Sequence, residues 1–391
     1  MLDWFLYRLG PKLPDLTTLE VGGLPDPHPA DDRLERAKAA LDAFEHGSFE
    51  PQGDDSPFRL LTGMGLRNLL TSEADMNPDT AGRTPTYAGY GDFQPVEIKV
   101  DDELSLTGMR STGAPGAPVI LVVHGLFDSH TSSYVVEHAE ILRRWGFHVI
   151  ALDMRDHGRL RGRSTTSLGL FEGKDLFAAA RTLAHAEGVS VGILGLSYGG
   201  HCAVRAAHEA SIAGEPEVLR GGVFSVSAPL NIHEAVAALD DPDSRLPRGK
   251  GFKDRMVVNT LHRSFRRHLR FKVRELGKLD YPIGDFESYI RAAVLPKYPN
   301  EPGLVGAFLG KARSTQAELL GAIEVPTAIL HSVDDPVVLG IHMLQARKEA
   351  GENPWIRTRM LPRGGHVGMA YLDPRGVFGM LSSFFGQLRD G

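Results

Sequence analysis

The chain has 391 residues, of which 42% are apolar and 24% charged, and its net charge is −6. That balance describes a globular protein with one large core plus an insertion, or two medium domains, and nothing in it favours nucleic acid as a partner. A single cysteine, Cys202, excludes an intramolecular disulfide and permits a reducing compartment.

The start, Met1-Leu2-Asp3-Trp4-Phe5-Leu6-Tyr7-Arg8, lacks a basic region and a long apolar run, and no later run approaches a membrane span. The expectation is a cytoplasmic protein whose aromatic start packs on the fold; contact with a membrane surface is the weaker reading. Residues 1–90 read as an N-terminal extension rich in Pro, Gly and Asp. Leu34, Ala37, Leu41 and Phe44 recur at helical spacing, which predicts a helix from about Asp31 to His46 with Asp31 or Asp32 as N-cap. A second apolar stretch, Phe58 to Leu70, also fits a helix.

Alternating runs at Val96 to Val100 and Leu104 to Met109 flank Asp101-Asp102 and predict a hairpin. The fully apolar Pro118 to Val123 suits a strand inside a parallel sheet. A helix from Ser132 to Trp145, a strand from Phe147 to Leu152, a helix from Lys174 to Ala186 and a strand from Ser190 to Leu194 follow. Gly222 to Val226 then reads as another strand. This alternation predicts a doubly wound α/β fold with a mostly parallel sheet, its first part spanning 91–230.

The alternation stops at about Pro229, and residues 231–322 read as a helical cap inserted over the carboxyl edge of the sheet. Within them, Leu261, Phe265, Leu269, Val273 and Leu276 are spaced as one face of a helix amid many arginines and lysines. A solvated helix lying on the core is the preferred reading of Arg255 to Lys278, ahead of a surface for anionic lipid. Residues 323–391 resume the core with strand Thr327 to His331, a helix from about Leu339 to Ala350, strand Ile356 to Leu361 and a helix from Arg375 to Leu388.

Gly195-Leu196-Ser197-Tyr198-Gly199 has the G-x-S-x-G form of a nucleophile elbow, placed where a strand gives way to a helix beginning after Gly200. A serine hydroxyl needs a base to take its proton and a third group to orient that base. His366, in Gly364-Gly365-His366-Val367-Gly368, follows the last strand and supplies the base. Asp335, in Val333-Asp334-Asp335-Pro336-Val337, supplies the acid, with Asp334 as the alternative. The backbone N–H groups of Tyr198 and Leu126 are the expected oxyanion donors, the latter from His124-Gly125-Leu126-Phe127-Asp128. His124, Arg155 and His157 read as loop scaffolding. The sixteen histidines show no metal-ligand spacing.

On His124-Gly125-Leu126, the elbow, Val226-Ser227-Ala228-Pro229, Asp334-Asp335-Pro336 and Gly364-Gly365-His366-Val367-Gly368, the chain resembles the YheT-like branch of the α/β-hydrolase superfamily over about residues 95–390. It departs from that pattern at Asp128, where the family usually has glycine, and at Arg155-Asp156-His157-Gly158. The resemblance implies a serine esterase for short- or medium-chain acyl esters, possessing neither metal nor organic cofactor and taking a small-molecule, lipid-derived ester. Transfer of the acyl group to an alcohol is the alternative activity, and a non-catalytic binding protein of the same fold is the remaining one.

Overall fold

The extended runs join one sheet of eight strands: β1 (Gln94–Lys99), β2 (Ser105–Ser111), β3 (Val119–Val123), β4 (His148–Leu152), β5 (Val191–Leu196), β6 (Val223–Val226), β7 (Thr327–Ser332) and β8 (Ile356–Leu361). The computed structural model describes residues 16, 19–29, 32–51, 91–161, 163–240 and 284–389. Strand order is β1-β2-β4-β3-β5-β6-β7-β8. The hairpin β1–β2 is antiparallel and joins β4 antiparallel, whereas β4, β3 and β5 to β8 run parallel. This is the doubly wound α/β arrangement, with a mostly parallel sheet, expected from the alternation of strands and helices.

Every residue of β3 and β5 is buried, because helices cover both faces of the sheet. On one face lie α1 (Arg33–His46), α2 (Ser133–Arg144) and α8 (Pro374–Gln387). On the other lie α3 (Glu172–Glu187), α4 (Tyr198–Ile212) and α7 (Ile341–Ala350). Each fully buried Val, Leu or Ile in these layers contributes about 1.5–3 kcal/mol of transfer free energy against its ordering entropy.

Helix α1 begins where the sequence places it, with the Asp32 side chain accepting from the Glu35 amide at 2.9 Å. It is tied to the core at its far end, where Phe44 meets Phe224 edge-on at 5.3 Å and the Arg359 guanidinium donates to the Phe44 carbonyl at 2.9 Å. The segments Phe58 to Leu70 and Arg255 to Lys278 lie outside the described residues. Among the described residues, no helix is long and apolar enough to cross a membrane.

Between β6 and β7 the chain forms α5 (Ile232–Asp240), a helical turn Phe286–Tyr289, α6 (Val305–Ala312) and a short helix Ala317–Gly321. Ile232, Val236, Phe286, Tyr289 and Phe308 pack here with Phe127 and Leu168 of the core in a third apolar cluster. Two side chains of α4 hold this segment. Arg205 donates to the carbonyls of Lys311, Ala312 and Arg313 at 3.3, 2.9 and 3.2 Å, closing the C-terminal end of α6. His201 Nδ1 lies 3.0 Å from Ser314 Oγ. Cys202, on the same helix, is fully buried, and burial pushes its thiol well above the ordinary range.

Candidate active site

Val123 of β3 and Gly195 of β5 are paired neighbours at the carboxyl ends of their strands. Beyond them the chain leaves β3 toward β4 and β5 toward β6, so the two loops part and open a crevice, the place where sheets of this kind bind ligands. One loop is His124 to Asp128; the other carries Ser197.

Ser197 has φ 55° and ψ −122°, a left-handed conformation that costs a non-glycine residue roughly 1–3 kcal/mol. Two glycines make the turn fit. A Cβ at Gly195 would stand 2.3 Å from the Gly199 carbonyl oxygen, and one at Gly199 would stand 2.5 Å from that of Val123. Helix α4 begins directly at Tyr198, three residues before the start expected after Gly200, because the elbow glycines serve as its first turn rather than as a linker. Ser197 N–H donates to the Val226 carbonyl at 2.8 Å, fastening the elbow to the next strand.

The ring of His366 stands between the other two side chains. Its Nε2 lies 2.8 Å from Ser197 Oγ and its Nδ1 lies 2.9 Å from Asp335 Oδ2. The second oxygen of Asp335 accepts from the amides of Val337 and Val338 at 2.8 and 2.9 Å, which fixes the carboxylate. Burial pushes the Asp335 carboxyl up, but the adjoining His366 and His331 rings and the backbone donors outweigh it and hold the group below the usual range. An ionised carboxylate there keeps the Nδ1 proton on His366 and leaves Nε2 to accept from the serine. Asp334 does not reach the ring; its Oδ1 accepts from Gly365 N–H at 2.8 Å.

Leu126 lies in the loop beside the elbow: a Cβ at the adjoining Gly125 would stand 3.4 Å from Ser197 Cβ. Among the described residues the Leu126 amide donates no hydrogen bond, and the Tyr198 amide belongs to the first turn of α4, where a helix leaves its N–H groups unpaired. His124 sets the orientation of the Leu126 amide. Its Nε2 accepts from Met154 N–H at 3.1 Å, so its proton is on Nδ1, which donates to the Gly125 carbonyl at 2.7 Å. The peptide is planar, so holding the Gly125 C=O aims the Leu126 N–H the opposite way. Burial lowers the His124 pKa to about 4, keeping the ring neutral.

Sequence reading passed over Tyr134. Its hydroxyl accepts from Gly125 N–H at 2.7 Å and donates to Asp128 Oδ2 at 2.6 Å, bracing the same loop. Burial raises the Asp128 carboxyl. The departure at Asp128 is thus a hydrogen-bonding partner of α2, a role that no local motif announces. Arg155 pairs side-on with Asp175, its Nε and Nη2 donating to the two carboxylate oxygens at 2.5 and 2.6 Å. His157 stacks between Tyr198 and Phe127 at 6.0 and 6.1 Å. Among the described residues no group of three or more His, Cys, Asp or Glu side chains is placed to hold a metal ion.

The sequence matches the alpha/beta hydrolase fold family over residues 118–370. No curated protein matches it significantly. The Pyrococcus furiosus esterase Pf2001 resembles it in two crystal forms, each at a TM-score of 0.51. In one the identity is 17%, covering 78% of this chain and 94% of that one; in the other it is 16%, covering 89% and 100%. At such identities the likeness speaks for the fold. With the family match extending from β3 past His366, the chain belongs to the alpha/beta hydrolase fold family.

Proposed function

We propose that the chain is a serine-dependent carboxylic ester hydrolase acting through an acyl-serine intermediate on short- or medium-chain esters. The observation that carries this is the His366 ring, 2.8 Å from the Ser197 hydroxyl on one side and 2.9 Å from the Asp335 carboxylate on the other. Both distances suit proton transfer and ring orientation.

In this reading Ser197 Oγ attacks the ester carbonyl carbon while its proton passes to His366 Nε2. The carbonyl oxygen becomes an oxyanion held by the Leu126 and Tyr198 amides. Collapse breaks the carbon–oxygen bond to the alcohol, which leaves with the proton from His366. Water then repeats the attack on the acyl-serine with His366 as base, releasing the acid and restoring the serine. Asp335 stays ionised throughout and stabilises the imidazolium.

The described residues between β6 and β7 serve as the cap over this site, and their apolar cluster with Phe127 favours an ester carrying an apolar group. Ser227-Ala228-Pro229 and the Gly364 to Gly368 loop support placement in the YheT-like branch. Replacing Ser197 with Ala should lower turnover of p-nitrophenyl butyrate by about 10⁴-fold or more while the protein stays folded. A fluorophosphonate should add one covalent group, on Ser197. Undiminished turnover in the folded variant, or labelling elsewhere, overturns the reading.

A further inference from the structure

The backbone on either side of His366 is held by three side chains: Ser227 just past β6, Ser332 at the end of β7 and Asp334 in the loop after it. Gly365 N–H donates to Asp334 Oδ1 at 2.8 Å, and the Gly365 carbonyl accepts from Ser332 Oγ at 2.7 Å. On the far side, Val367 N–H donates to Ser227 Oγ at 3.1 Å. Ser227 and Ser332 are fully buried at the ends of β6 and β7, so water does not compete for these bonds.

The loop they hold would not adopt this shape on its own. Gly365 has φ 56° and Val367 has φ 59°, and a β-branched residue with positive φ is a conformational outlier. Such a conformation persists where surrounding contacts over-determine it, and such contacts are present at both peptide groups flanking the histidine.

We propose that Asp334, Ser332 and Ser227 are positioning residues for His366, and that the two adjacent acids divide the work, Asp335 orienting the ring and Asp334 orienting the backbone that carries it. This rests on the reading of His366 as the base. A base must keep its nitrogen within hydrogen-bond reach of the serine, and a displacement of about 1 Å can cost about 10²-fold in rate.

The test measures kcat and KM of the full chain on p-nitrophenyl butyrate from pH 6 to 10, with near-ultraviolet circular dichroism to verify folding. Asp334→Ala should lower kcat by about 10²-fold and Ser227→Ala by about 10-fold, each with KM within about twofold of wild type. Asp334→Asn keeps the acceptor and loses the charge, so it should stay within about threefold of wild type. In Asp334→Ala, activity should climb with pH, as hydroxide replaces the misplaced base.

A double-mutant cycle separates positioning from a general structural effect. Adding Asp334→Ala to His366→Ala should cost nothing further, because the only route by which Asp334 acts is gone. If Asp334→Ala fails to fold, Ser227→Ala carries the same cycle. Unchanged kcat in folded Asp334→Ala, Asp334→Asn as damaged as Asp334→Ala, or additive losses in the cycle overturns the inference. Full turnover in His366→Ala overturns instead the reading of His366 on which it rests.

Discussion

The His124 ring donates to the carbonyl of its own neighbour, Gly125, at 2.7 Å, and through one planar peptide it determines where the Leu126 N–H points. A residue without a reacting atom thereby governs the orientation of a proposed oxyanion donor.

Replacing His124 with Ala should therefore lower kcat by roughly 10- to 100-fold, short of the full loss of a donor, with little change in KM. Affinity for a trifluoromethyl ketone inhibitor should fall in parallel, since that ligand presents an oxyanion to the same amides. An unaltered kcat in the folded variant would mean that the loop keeps its shape without the ring.

Gly199 has no room for a side chain, as a Cβ there would stand 2.5 Å from the Val123 carbonyl oxygen and 2.6 Å from that of His124. Gly199→Ala should either fail to accumulate as folded protein or lose several kcal/mol of stability, as backbone must shift to admit the methyl. A urea midpoint equal to that of wild type would refute this packing argument.

Arg205 is the link between α4 and the C-terminal end of α6, through three carbonyls. Arg205→Met should cost about 1–3 kcal/mol, because the methionine leaves the buried Ala312 carbonyl without its donor, while Gln316 still donates to the carbonyls of Lys311 and Arg313. The loss should be local. Hydrogen exchange would quicken over residues 305–314 while β3 and β5 stay protected, and uniform exchange across both regions would contradict the assignment.

Burial lowers the pKa of His124, His138 and His342 to about 4 and of His201 to about 3. The unfolded chain takes up these protons near pH 6.5, so between there and about pH 4 it binds more protons than the folded state. Stability should be fully present above pH 6.5 and fall as the pH drops toward 4, by at most about 3 kcal/mol per histidine. Asp335, with its depressed carboxyl, adds a further loss at still lower pH, as the pH falls through its folded value. A urea midpoint constant from pH 7 to 4.5 would argue against this, and His138→Gln should reduce the slope.

What the sequence disclosed and what it withheld follow from the range of each signal. The glycines around Ser197 and the apolar runs of β3 and β5 are local requirements, so the elbow and the sheet were legible. Asp334 and Asp335 were harder to separate because both precede Pro336, and only the approach of β8's following loop assigns one to the ring and the other to Gly365. Tyr134, Ser332 and the hydroxyl of Ser227 act across strands on distant backbone, a relation with no local pattern. The helix starts at Tyr198 rather than after Gly200, because the two glycines that resemble a break in the sequence are required by close packing against β3 and β6.

Cys202 offers a practical consequence. Its sulfur is fully buried in the apolar cluster that α4 shares with α3 and the sheet, with an acidity suppressed by burial, so maleimides and iodoacetamide should leave the intact molecule alone. Because no other thiol competes, alkylation would happen only when α4 separates from that cluster. The rate of that single modification would act as a clock for opening directly behind the elbow, one that can be read without substrate.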